Sequence, residues 1–291
     1  MAILLPTPVQ WDSYALLDTG DGKRFERFGK YTIVRPDPQI IWHPHLDRLR
    51  WEEADAVFER PETGKEQWRY RNSIPEKWLV AYKDMSFYVK LTPFKHTGVF
   101  PEQTVQWDWI NEKIQIAKRP LQILNLFAYT GIASLVAGKN GASVTHVDGS
   151  KQAIGWAKEN QLASHLAAAE IRYILDDVIK FTSREIRRGK TYDGIIMDPP
   201  VYGHGPHGEK WEFTEDFPLL MANCQKLLSK DPIFVVMNAY AISSSALIFE
   251  NILHDLMPEN MGKIEVGELI LKEDDSERLL STGIFGRWAF Q

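Results

Sequence analysis

Residues 121–131, LQILNLFAYTG, constrain the fold of this chain more than any other segment. An apolar run with β-branched members ends at Phe127, and the sequence AYTG then leads into the helix-compatible segment IASLVAG. This change of pattern predicts a β-strand, a sharp turn and a helix. A second short strand, SVTHVD, ends on Asp148, about 17 residues after Gly131. The layout is typical of a doubly wound sheet that binds a nucleoside-containing cofactor.

The glycine pattern bears on the identity of that cofactor. A dinucleotide needs glycines where its pyrophosphate approaches the backbone, but Phe127 and Tyr129 occupy those places and only Gly131 is left. S-adenosylmethionine contains a ribose and an adenine without a pyrophosphate, so it is compatible with a crowded turn. Asp148 would accept hydrogen bonds from both ribose hydroxyls. On the turn and Asp148 alone, an ordinary β–α connection is an equal alternative.

Composition and charge narrow the class of protein. The chain has 291 residues, 44% of them hydrophobic and 25% charged, as in globular proteins of one large or two smaller domains. We expect no membrane contact, because no apolar run approaches ~18 residues and the first ten residues do not resemble a signal peptide. The single Cys224 excludes an internal disulfide and fits a cytoplasmic location. The formal charge of −5 argues mildly against broad nucleic-acid binding.

Residues 1–92 are predicted to form a β-rich accessory domain. Alternating stretches at 31–34 and 40–42, together with QWRYRNS and WLVAYKDMSFYVKL, predict its strands. Tryptophan and arginine are interleaved here, as on surfaces where single-stranded RNA stacks. The alternative, which we favour, is that the tryptophans form a small core and the arginines cover it. The residues concerned are Trp11, Trp42, Trp51, Trp68, Trp78, Arg48, Arg50, Arg60, Arg69 and Arg71.

Residues 93–291 are predicted to form a second domain in which strands and helices alternate. This alternation predicts parallel strands joined by right-handed crossovers, and the last two predicted strands form an antiparallel hairpin. The predicted fold class is therefore α/β, a Rossmann-like, mostly parallel sheet closed by that hairpin, with a small β-rich N-terminal domain. Predicted strands lie near 121–127, 143–148, 171–175, 192–198 and 233–239, and predicted helices near 102–118, 130–139, 150–167, 177–188, 215–229 and 243–256.

Successive predicted strands end in carboxylates, and the ends of parallel strands face one crevice. The second strand ends at Asp148 and the third at Asp176 and Asp177. Asp177, or with less support Asp176, would accept a hydrogen bond from the adenine amino group. One of this pair is equally suited to cap the following helix, an alternative that weighs most on Asp176.

The fourth strand, DGIIMDPPVYG, stops at Asp198-Pro199-Pro200. Two prolines fix the backbone and remove two N–H donors, so we expect carbonyls that are free to accept from a substrate amino group. Tyr202 offers an aromatic face on which a flipped base would stack. A rigid turn is an alternative interpretation, which becomes weaker beside the carboxylates of the neighbouring strands.

Four motifs in order, LNLFAYTG, THVDGSKQAIGWAKEN, DDVIKF and MDPPVYG, resemble the bacterial class I S-adenosylmethionine-dependent methyltransferases that include the 23S ribosomal RNA cytosine and guanine methyltransferases. FKHTGVFPEQ is similar to the segment that precedes their cofactor strand. The resemblance covers about residues 93–291. It implies S-adenosylmethionine as cofactor and a nucleobase of ribosomal RNA as the methyl acceptor.

The resemblance also implies a role for individual residues. Residues 125–131 would surround the methionine end of the cofactor, Asp148 would bind the ribose, Asp177 would bind the adenine, and Asp198 would lie beside the transferred methyl group. His96 is a further, weaker candidate. The implied cofactor-binding residues are Thr97, Gln103, Asn125, Phe127, Ala128, Tyr129, Thr130, Gly131, Asp148, Gly149, Asp177 and Val178. The implied catalytic residues are Asp198, Pro199, Pro200 and Tyr202.

One departure from the family restricts the reaction. Its cytosine-C5 members use a cysteine just after the fifth strand, where this chain has FVVMNAYAISSS. Cys224 precedes that strand, and we expect it to be buried. The predicted acceptor is therefore a nucleobase atom that needs no thiolate. The alternatives are a methyltransferase acting on protein or a small molecule, and a cofactor-binding RNA scaffold protein that has lost catalysis.

The sequence GHGPHGEKWEF after the paired prolines is predicted to form a mobile lid. His204, His207, Lys210 and Trp211 would close over a substrate. The two histidines are not expected to bind a metal, because no cysteine or carboxylate accompanies them at ligand spacing. The oligomeric state is left open.

Overall fold

The chain forms two compact units in the computed structural model, which describes residues 3–8, 11–59, 61, 65–240, 244–257 and 262–290. The large unit consists of Met1–Pro6, Gln103–Leu269 and Thr282–Gln291, and the small unit of Thr7–Glu102 and Ile270–Ser281. The small unit is therefore assembled from two separate segments of chain. The predicted division of the chain after residue 92 stays a prediction, whereas the compact units divide after Glu102.

The small unit is rich in β-structure, as predicted. Its elements are β1 (Tyr14–Gly20), β2 (Lys23–Phe28), β3 (Tyr31–Pro36), α1 (Arg48–Glu52), β4 (Ala56–Glu59), β5 (Gln67–Tyr70), β6 (Trp78–Tyr82) and β7 (Met85–Val89). Strands β1 to β5 form one sheet in chain order, and β6 pairs with β7. Only the β3–β4 pair in that five-stranded sheet is parallel.

The strand predicted at 40–42 is wrong. The carbonyls of Ile40 and Trp42 accept the N–H groups of Gly22 and Asp21, so this segment closes the β1–β2 turn and does not extend a ladder. Ile40 is buried while Ile41 is exposed. Burial therefore alternates along this segment as it does in a strand, although the segment is not part of a sheet.

The large unit is organised by a seven-stranded sheet. Its elements up to residue 187 are α2 (Thr104–Ala117), β8 (Gln122–Leu126), α3 (Ile132–Lys139), β9 (Ser143–Asp148), α4 (Lys151–Ala163), β10 (Ile171–Leu175) and α5 (Val178–Arg187). Those that follow are β11 (Gly194–Met197), β12 (Tyr202–His204), β13 (Lys210–Glu212), α6 (Phe213–Leu227), β14 (Phe234–Tyr240), α7 (Leu247–Leu256), β15 (Gly262–Lys272) and β16 (Leu279–Phe290).

The strand order of this sheet is β10-β9-β8-β11-β14-β16-β15. Strands β10, β9, β8, β11 and β14 are parallel, and β16 runs antiparallel to β14. The predicted fold class, a mostly parallel α/β sheet with antiparallel C-terminal strands, is confirmed. No helix in the described parts of the chain is long and apolar enough to cross a membrane.

The two faces of the sheet carry different helices, because successive side chains of a strand point to opposite faces. Leu124 and Leu126 pack in a core cluster with residues of α5, α6 and α7. Asn125, between them, donates to the hydroxyl of Ser134 in α3. The sheet is thus covered on both faces, which leaves its carboxyl edge as the place for a ligand.

Candidate active site

The carboxyl ends of β8, β9, β10 and β11 lie along one edge of the sheet. Strand β8 lies inside the sheet, with β9 on one side and β11 on the other. From β8 the chain runs outward through β9 and β10, and it then returns to β11 on the opposite side of β8. Such a reversal of strand order opens a crevice outside the strand ends, which is where open α/β sheets bind ligands.

The turn after β8 has an unusual backbone. Phe127, Tyr129 and Gly131 all have positive φ angles, of 53°, 47° and 85°. This conformation is uncommon for bulky residues, and it points to a functional constraint. Left-handed residues alternating with others turn successive N–H groups toward a concave site that suits an anion. Phe127 and Tyr129 therefore adopt the conformation that glycines would adopt in a dinucleotide turn.

Gly131 fits where a larger residue would not. It caps the N-terminus of α3, and an added Cβ would lie 2.8 Å from the Cβ of Ala157 and 3.3 Å from the Cε1 of His146. The carbonyl of Thr130 accepts the side-chain N–H of Asn160 at 3.0 Å. The turn is therefore packed against α4 on its inner side, and its outer side faces the sheet edge.

Asp148 is held by two backbone groups. Its Oδ2 accepts the N–H of Tyr129 at 2.7 Å, and its Oδ1 accepts the N–H of Ser150 at 2.8 Å. Burial raises the pKa of Asp148, and these two hydrogen bonds oppose the rise. A carboxylate has about four acceptor positions, so Asp148 retains capacity for two ribose hydroxyls. Gly149 follows, and its added Cβ would lie 3.1 Å from the carbonyl oxygen of His204.

The two aspartates after β10 have separate structural roles. Asp177 caps α5, because its Oδ1 accepts the N–H of Lys180 at 2.9 Å. Asp176 pairs with Arg184 and accepts the N–H of Asp177. The capping alternative was expected to apply mainly to Asp176. In the structure the helix cap is Asp177. Val178 is the buried first residue of α5.

Asn125 lies in β8, just before the turn, and its side chain points to the face of the sheet that α3 covers. Its Nδ2 donates to the Ser134 Oγ at 2.9 Å, and that oxygen is 3.0 Å from the Nδ1 of His146. All three side chains are buried, and burial lowers the pKa of His146 to about 3, which keeps the imidazole neutral. No sequence pattern pointed to Ser134 or His146, because neither stands at a strand end.

Asp198 meets a side chain that comes from far earlier in the chain. Its Oδ2 accepts the side-chain N–H of Gln103 at 2.5 Å. Burial raises the pKa of Asp198 to about 6, against the lowering effect of the Gln103 hydrogen bond. The carboxyl group is therefore partly protonated near neutral pH.

The expectation of free carbonyls in Asp198-Pro199-Pro200 is wrong for Pro200. The indole N–H of Trp211 donates to the Pro200 carbonyl at 2.7 Å. The reason is that residues 202–212 fold back as the β12–β13 hairpin, which places Trp211 beside the second proline.

The predicted lid is this hairpin, and its residues divide into buried and exposed sets. Trp211 is buried, and its ring meets the ring of Phe127 edge-on with centroids 4.7 Å apart. Trp211 therefore belongs to the core and does not close over a substrate. Tyr202 is 67% exposed, as a stacking surface requires. Three of the four side chains that were expected to close over a substrate, His204, His207 and Lys210, are exposed.

Cys224 lies inside α6, in the core cluster behind the sheet. It has no exposed surface, and burial raises the pKa of its thiol to about 12. A thiol in this position is neither ionised nor accessible to a substrate.

Thr97 belongs to the small unit, where its hydroxyl donates to the carbonyl of Val99 at 3.3 Å. His96 is partly buried in the same unit, and burial together with Arg35 and Lys95 lowers its pKa to about 4. His96 is therefore neutral. A role for Thr97 with the cofactor stays a prediction.

The tryptophans of the small unit are structural. Each of the five donates its indole N–H within the unit: Trp11 to Ala81, Trp42 to Thr19, Trp51 to Asp18, Trp68 to Thr92 and Trp78 to Phe28. Four of the five arginines named in that prediction are described, and all four are exposed. Arg48 pairs with Glu52, Arg50 with Glu53 and Arg69 with Glu59, while Arg71 donates to the Glu52 carbonyl. Arg60 lies outside the described residues. This arrangement supports the interpretation of a core covered by arginines.

Asp18, His45 and Glu273 come together elsewhere in the small unit. Their potential ligand atoms lie within 4.8 Å of one another, a spacing that would also suit a metal ion. Asp18 already accepts the N–H of Leu46 and the indole N–H of Trp51 at 2.9 Å each. Hydrogen bonding thus accounts for the cluster, and the expectation that the protein binds no metal stays a prediction.

Comparison with known families identifies the chain. The profile of the S-adenosylmethionine-dependent methyltransferases matches residues 58–256, more than half of its length. The chain belongs to this family. A crystal structure of the S-adenosylmethionine-dependent methyltransferase from Agrobacterium tumefaciens aligns with a TM-score of 0.92 and 42% identity, over 97% of this methyltransferase and 92% of that chain. The resemblance inferred from the four motifs is confirmed.

Two curated relatives carry the name ribosomal RNA large subunit methyltransferase K/L. The protein from Shewanella amazonensis is 34% identical over 145 residues, 49% of this methyltransferase and 20% of the relative. The protein from Aeromonas hydrophila is 31% identical over 184 residues, 62% of this methyltransferase and 24% of the relative. The methyltransferase thus matches only about a fifth to a quarter of the length of these relatives.

S-adenosylmethionine is the cofactor of this family, as the sequence predicted, and the chemistry of the strand ends fits it. The turn at 127–131 presents N–H groups for an anionic or polar group, and Asp148 retains acceptor positions for hydroxyls. The assignment of particular residues to particular parts of the cofactor stays a prediction.

Proposed function

We propose that this methyltransferase modifies a nucleobase of RNA, with ribosomal RNA as the substrate class, at an atom that needs no cysteine thiolate. The observation that carries the proposal is the strand end after β11. There the Asp198 carboxyl, the paired prolines and the exposed ring of Tyr202 follow one another within five residues. The names of the curated relatives support RNA as the substrate.

The cofactor supplies a methyl group on a sulfonium, which is already electrophilic. The protein therefore contributes mainly position. Asp148 and the 127–131 turn would hold the cofactor at the ends of β8 and β9. Asp198, next to them at the end of β11, would accept a hydrogen bond from the exocyclic amino group of the target base. Tyr202 would stack on that base, and such stacking contributes about 1–3 kcal/mol.

The position of Cys224 supports an acceptor other than a pyrimidine C5. Methylation at that carbon usually requires a thiolate that adds to the ring. The Cys224 thiol is enclosed in the core behind the sheet, with a pKa of about 12. A nitrogen acceptor needs no such addition, and alignment beside the methyl group suffices.

The test is incubation of the protein with methyl-labelled S-adenosylmethionine and one potential substrate at a time. The substrates are ribosomal RNA without proteins, ribosomal RNA with ribosomal proteins, total protein, and small molecules. We expect label in RNA, and mass spectrometry of its nucleosides should place the methyl group on a nitrogen. Cys224→Ala should incorporate label as the wild type does. Label in protein or small molecules alone, or on a pyrimidine C5, would contradict the proposal.

The Tyr202 ring provides a second test on the same substrate. Tyr202→Ala should raise the KM for RNA by roughly tenfold to a hundredfold, since about 1–3 kcal/mol of stacking is lost. The affinity for S-adenosylmethionine should not change. Phe290→Ala is the matched control, because Phe290 is also an exposed aromatic residue of the large unit. Equal effects of both variants on the KM for RNA would mean that Tyr202 does not contact the base.

A further inference from the structure

The hydrogen bond between Gln103 and Asp198 joins residues from two distant parts of the chain. Gln103 directly precedes α2 and ends a single 3-10 turn, Pro101–Gln103. Its side-chain N–H donates to the Asp198 Oδ2 at 2.5 Å. The sequence suggested Gln103 as a cofactor ligand. In the structure its donor is directed to the carboxyl group on the acceptor side of the proposed site.

We infer that Gln103 is a positioning residue that fixes the orientation and the charge of Asp198, and that it is not a ligand of the cofactor. This inference rests on the proposed function, in which Asp198 contacts the acceptor base. An N–H donor at 2.5 Å restricts the carboxyl to one orientation and stabilises its ionised form.

The start of α2 makes a second contact with the sheet, through the side chain of Gln106. Gln106 lies one turn after Gln103, on the same face of the helix. Its Nε2 donates to the Oδ1 of buried Asn238 at 3.2 Å. Asp198 directly follows β11, and Asn238 lies inside the neighbouring strand β14, one residue after the register pair Met197 and Met237. Two glutamines at the start of α2 therefore contact the residue after β11 and a residue of β14.

Arg287 holds Gln106 from the other side. Its Nη1 donates to the Gln106 Oε1 at 3.2 Å. Its Nε and Nη2 lie 2.9 Å and 2.8 Å from one Glu265 oxygen, and its guanidinium stacks 4.9 Å from the ring of Trp109. Both functional ends of the Gln106 amide are thus occupied. The start of α2 is pre-organised, which is how supporting side chains keep a reacting group in place.

The charge of Asp198 depends on this contact. Burial raises its pKa to about 6, and the Gln103 hydrogen bond is the influence that lowers it. In the described part of the chain, burial and this hydrogen bond are the two influences on the Asp198 pKa, and no charged side chain contributes to it. Loss of the Gln103 donor should therefore raise the pKa of Asp198 further, and it should leave less of the ionised form at neutral pH.

The test compares Gln103→Met, which keeps the length of the side chain and removes the donor, with Gln115→Leu as the control. Gln115 is an exposed glutamine of the same helix, bonded to Asn140. We expect Gln103→Met to lower kcat for RNA roughly tenfold to a hundredfold, the effect of losing a hydrogen bond to a charged group. The acid limb of the pH profile should move up by about one unit. The Kd for S-adenosylmethionine should stay within threefold, and Gln115→Leu should match the wild type.

The reverse result would overturn the inference. If Gln103→Met raises the Kd for the cofactor more than tenfold while the acid limb stays in place, Gln103 is a cofactor ligand. Carbon-13 NMR titration of the Asp198 carboxyl needs no substrate. A pKa that does not differ between Gln103→Met and the wild type would overturn the inference even if RNA proved not to be the acceptor. An absence of RNA methylation by the wild type, with a raised Asp198 pKa in the variant, would overturn only the proposed function.

Discussion

At the scale of single residues, the carboxylates of the site differ in what holds them. Asp148 accepts two backbone N–H groups, Asp177 caps a helix, and Asp198 accepts a side-chain amide. A backbone donor fixes a carboxylate as part of the fold. A side-chain donor can be removed by one substitution. The three positions should therefore respond differently to mutation.

Asp148→Ala should weaken S-adenosylmethionine binding by well over tenfold. Each hydrogen bond from a ribose hydroxyl to the charged group contributes about 1.5–3 kcal/mol. The variant also leaves the N–H of Tyr129 without its present acceptor, so the turn should lose part of its order. Calorimetric titration measures the affinity, with the exposed Asp231→Asn as the control. Unchanged affinity in a folded Asp148→Ala protein would contradict the ribose assignment.

Asp198→Asn should stabilise the protein at pH 7.5 while it reduces methyl transfer. Because burial raises the pKa of Asp198 to about 6, above its ordinary value near 3.9, the folded protein binds this proton more tightly than the unfolded chain. Stability therefore falls as the pH rises from about 4 to about 6, and the loss persists above that range. Asparagine does not ionise, and it can still accept the hydrogen bond from Gln103.

The expected gain in the free energy of unfolding is about 1–3 kcal/mol at pH 7.5 and close to zero at pH 4. Urea denaturation at the two pH values measures it. If Asp198→Asn is instead less stable than the wild type at pH 7.5, and the difference is smaller at pH 4, ionised Asp198 contributes favourably to the fold.

The sequence could predict which residues stand at strand ends but not what those residues contact. Asp148, Asp177 and Asp198 could be predicted because a short apolar run ends at or just before each of them. Gln103 meets Asp198 across 95 positions of sequence, and Trp211 turns back on Pro200 through a hairpin. Contacts of this kind depend on packing between elements, and no local pattern encodes them.

At the scale of elements, the β12–β13 hairpin is held at its tip. The Glu209 carboxylate accepts the N–H of His207 at 2.9 Å and the Lys180 ammonium at 2.6 Å. A Cβ on Gly205 would lie 2.5 Å from the Glu209 carboxylate, so a larger residue there would displace the Glu209 side chain. The hairpin tip, at His204 and Gly205, lies against Gly149, directly after Asp148. Opening of the hairpin would therefore uncover the residues after β9.

Glu209→Gln should make the hairpin open more often. The change removes the carboxylate charge that attracts the Lys180 ammonium. The hydrogen bond from Lys180 is the main cause that lowers the pKa of Glu209 to about 2. We expect faster hydrogen exchange of the amides in 202–212 and faster release of S-adenosylhomocysteine. Glu212→Gln, an exposed position on β13, is the control. Identical exchange in both variants would mean that Lys180 does not hold the hairpin closed.

The elements of the large unit could largely be predicted from sequence, whereas in the small unit β3, β5, β6 and β7 were predicted but β1, β2 and β4 were not. Predicted strands 143–148 and 171–175 match β9 and β10, because each is a short apolar run bounded by turn residues. Strands β1 and β2 carry buried charges such as Arg24 and Glu26, which hide the strand pattern. The hairpin of three-residue strands is too short for periodicity to reveal.

At the scale of the whole molecule, the small unit needs a segment from far along the chain. Glu273 is buried, and it accepts hydrogen bonds from the hydroxyls of Thr19 and, at 2.5 Å, Ser276. The backbone N–H of Asp274 donates to the Leu16 carbonyl at 2.9 Å. Strand β1 is therefore completed by residues that belong to the β15–β16 connection.

Glu273→Ala should destabilise the small unit by about 2–4 kcal/mol, because it leaves buried donors without an acceptor. Hydrogen exchange should accelerate at β1 and β2, with little change at β8 and β11 of the large unit. Asp275→Ala, on the same connection and exposed, should have no such effect. Uniform acceleration in both units would show that they unfold together.

The split composition of the small unit has a consequence for the order of events during synthesis. Residues 7–102 leave the ribosome about 170 residues before residues 270–281, a delay of roughly ten to thirty seconds at ~5–20 residues per second. During that interval Thr19 and Asp18 lack the side chains of Glu273 and Arg278, which complete their surroundings. Residues 7–102 are thus made long before the segment that completes their unit, and a nascent-chain chaperone would have that whole interval in which to bind them.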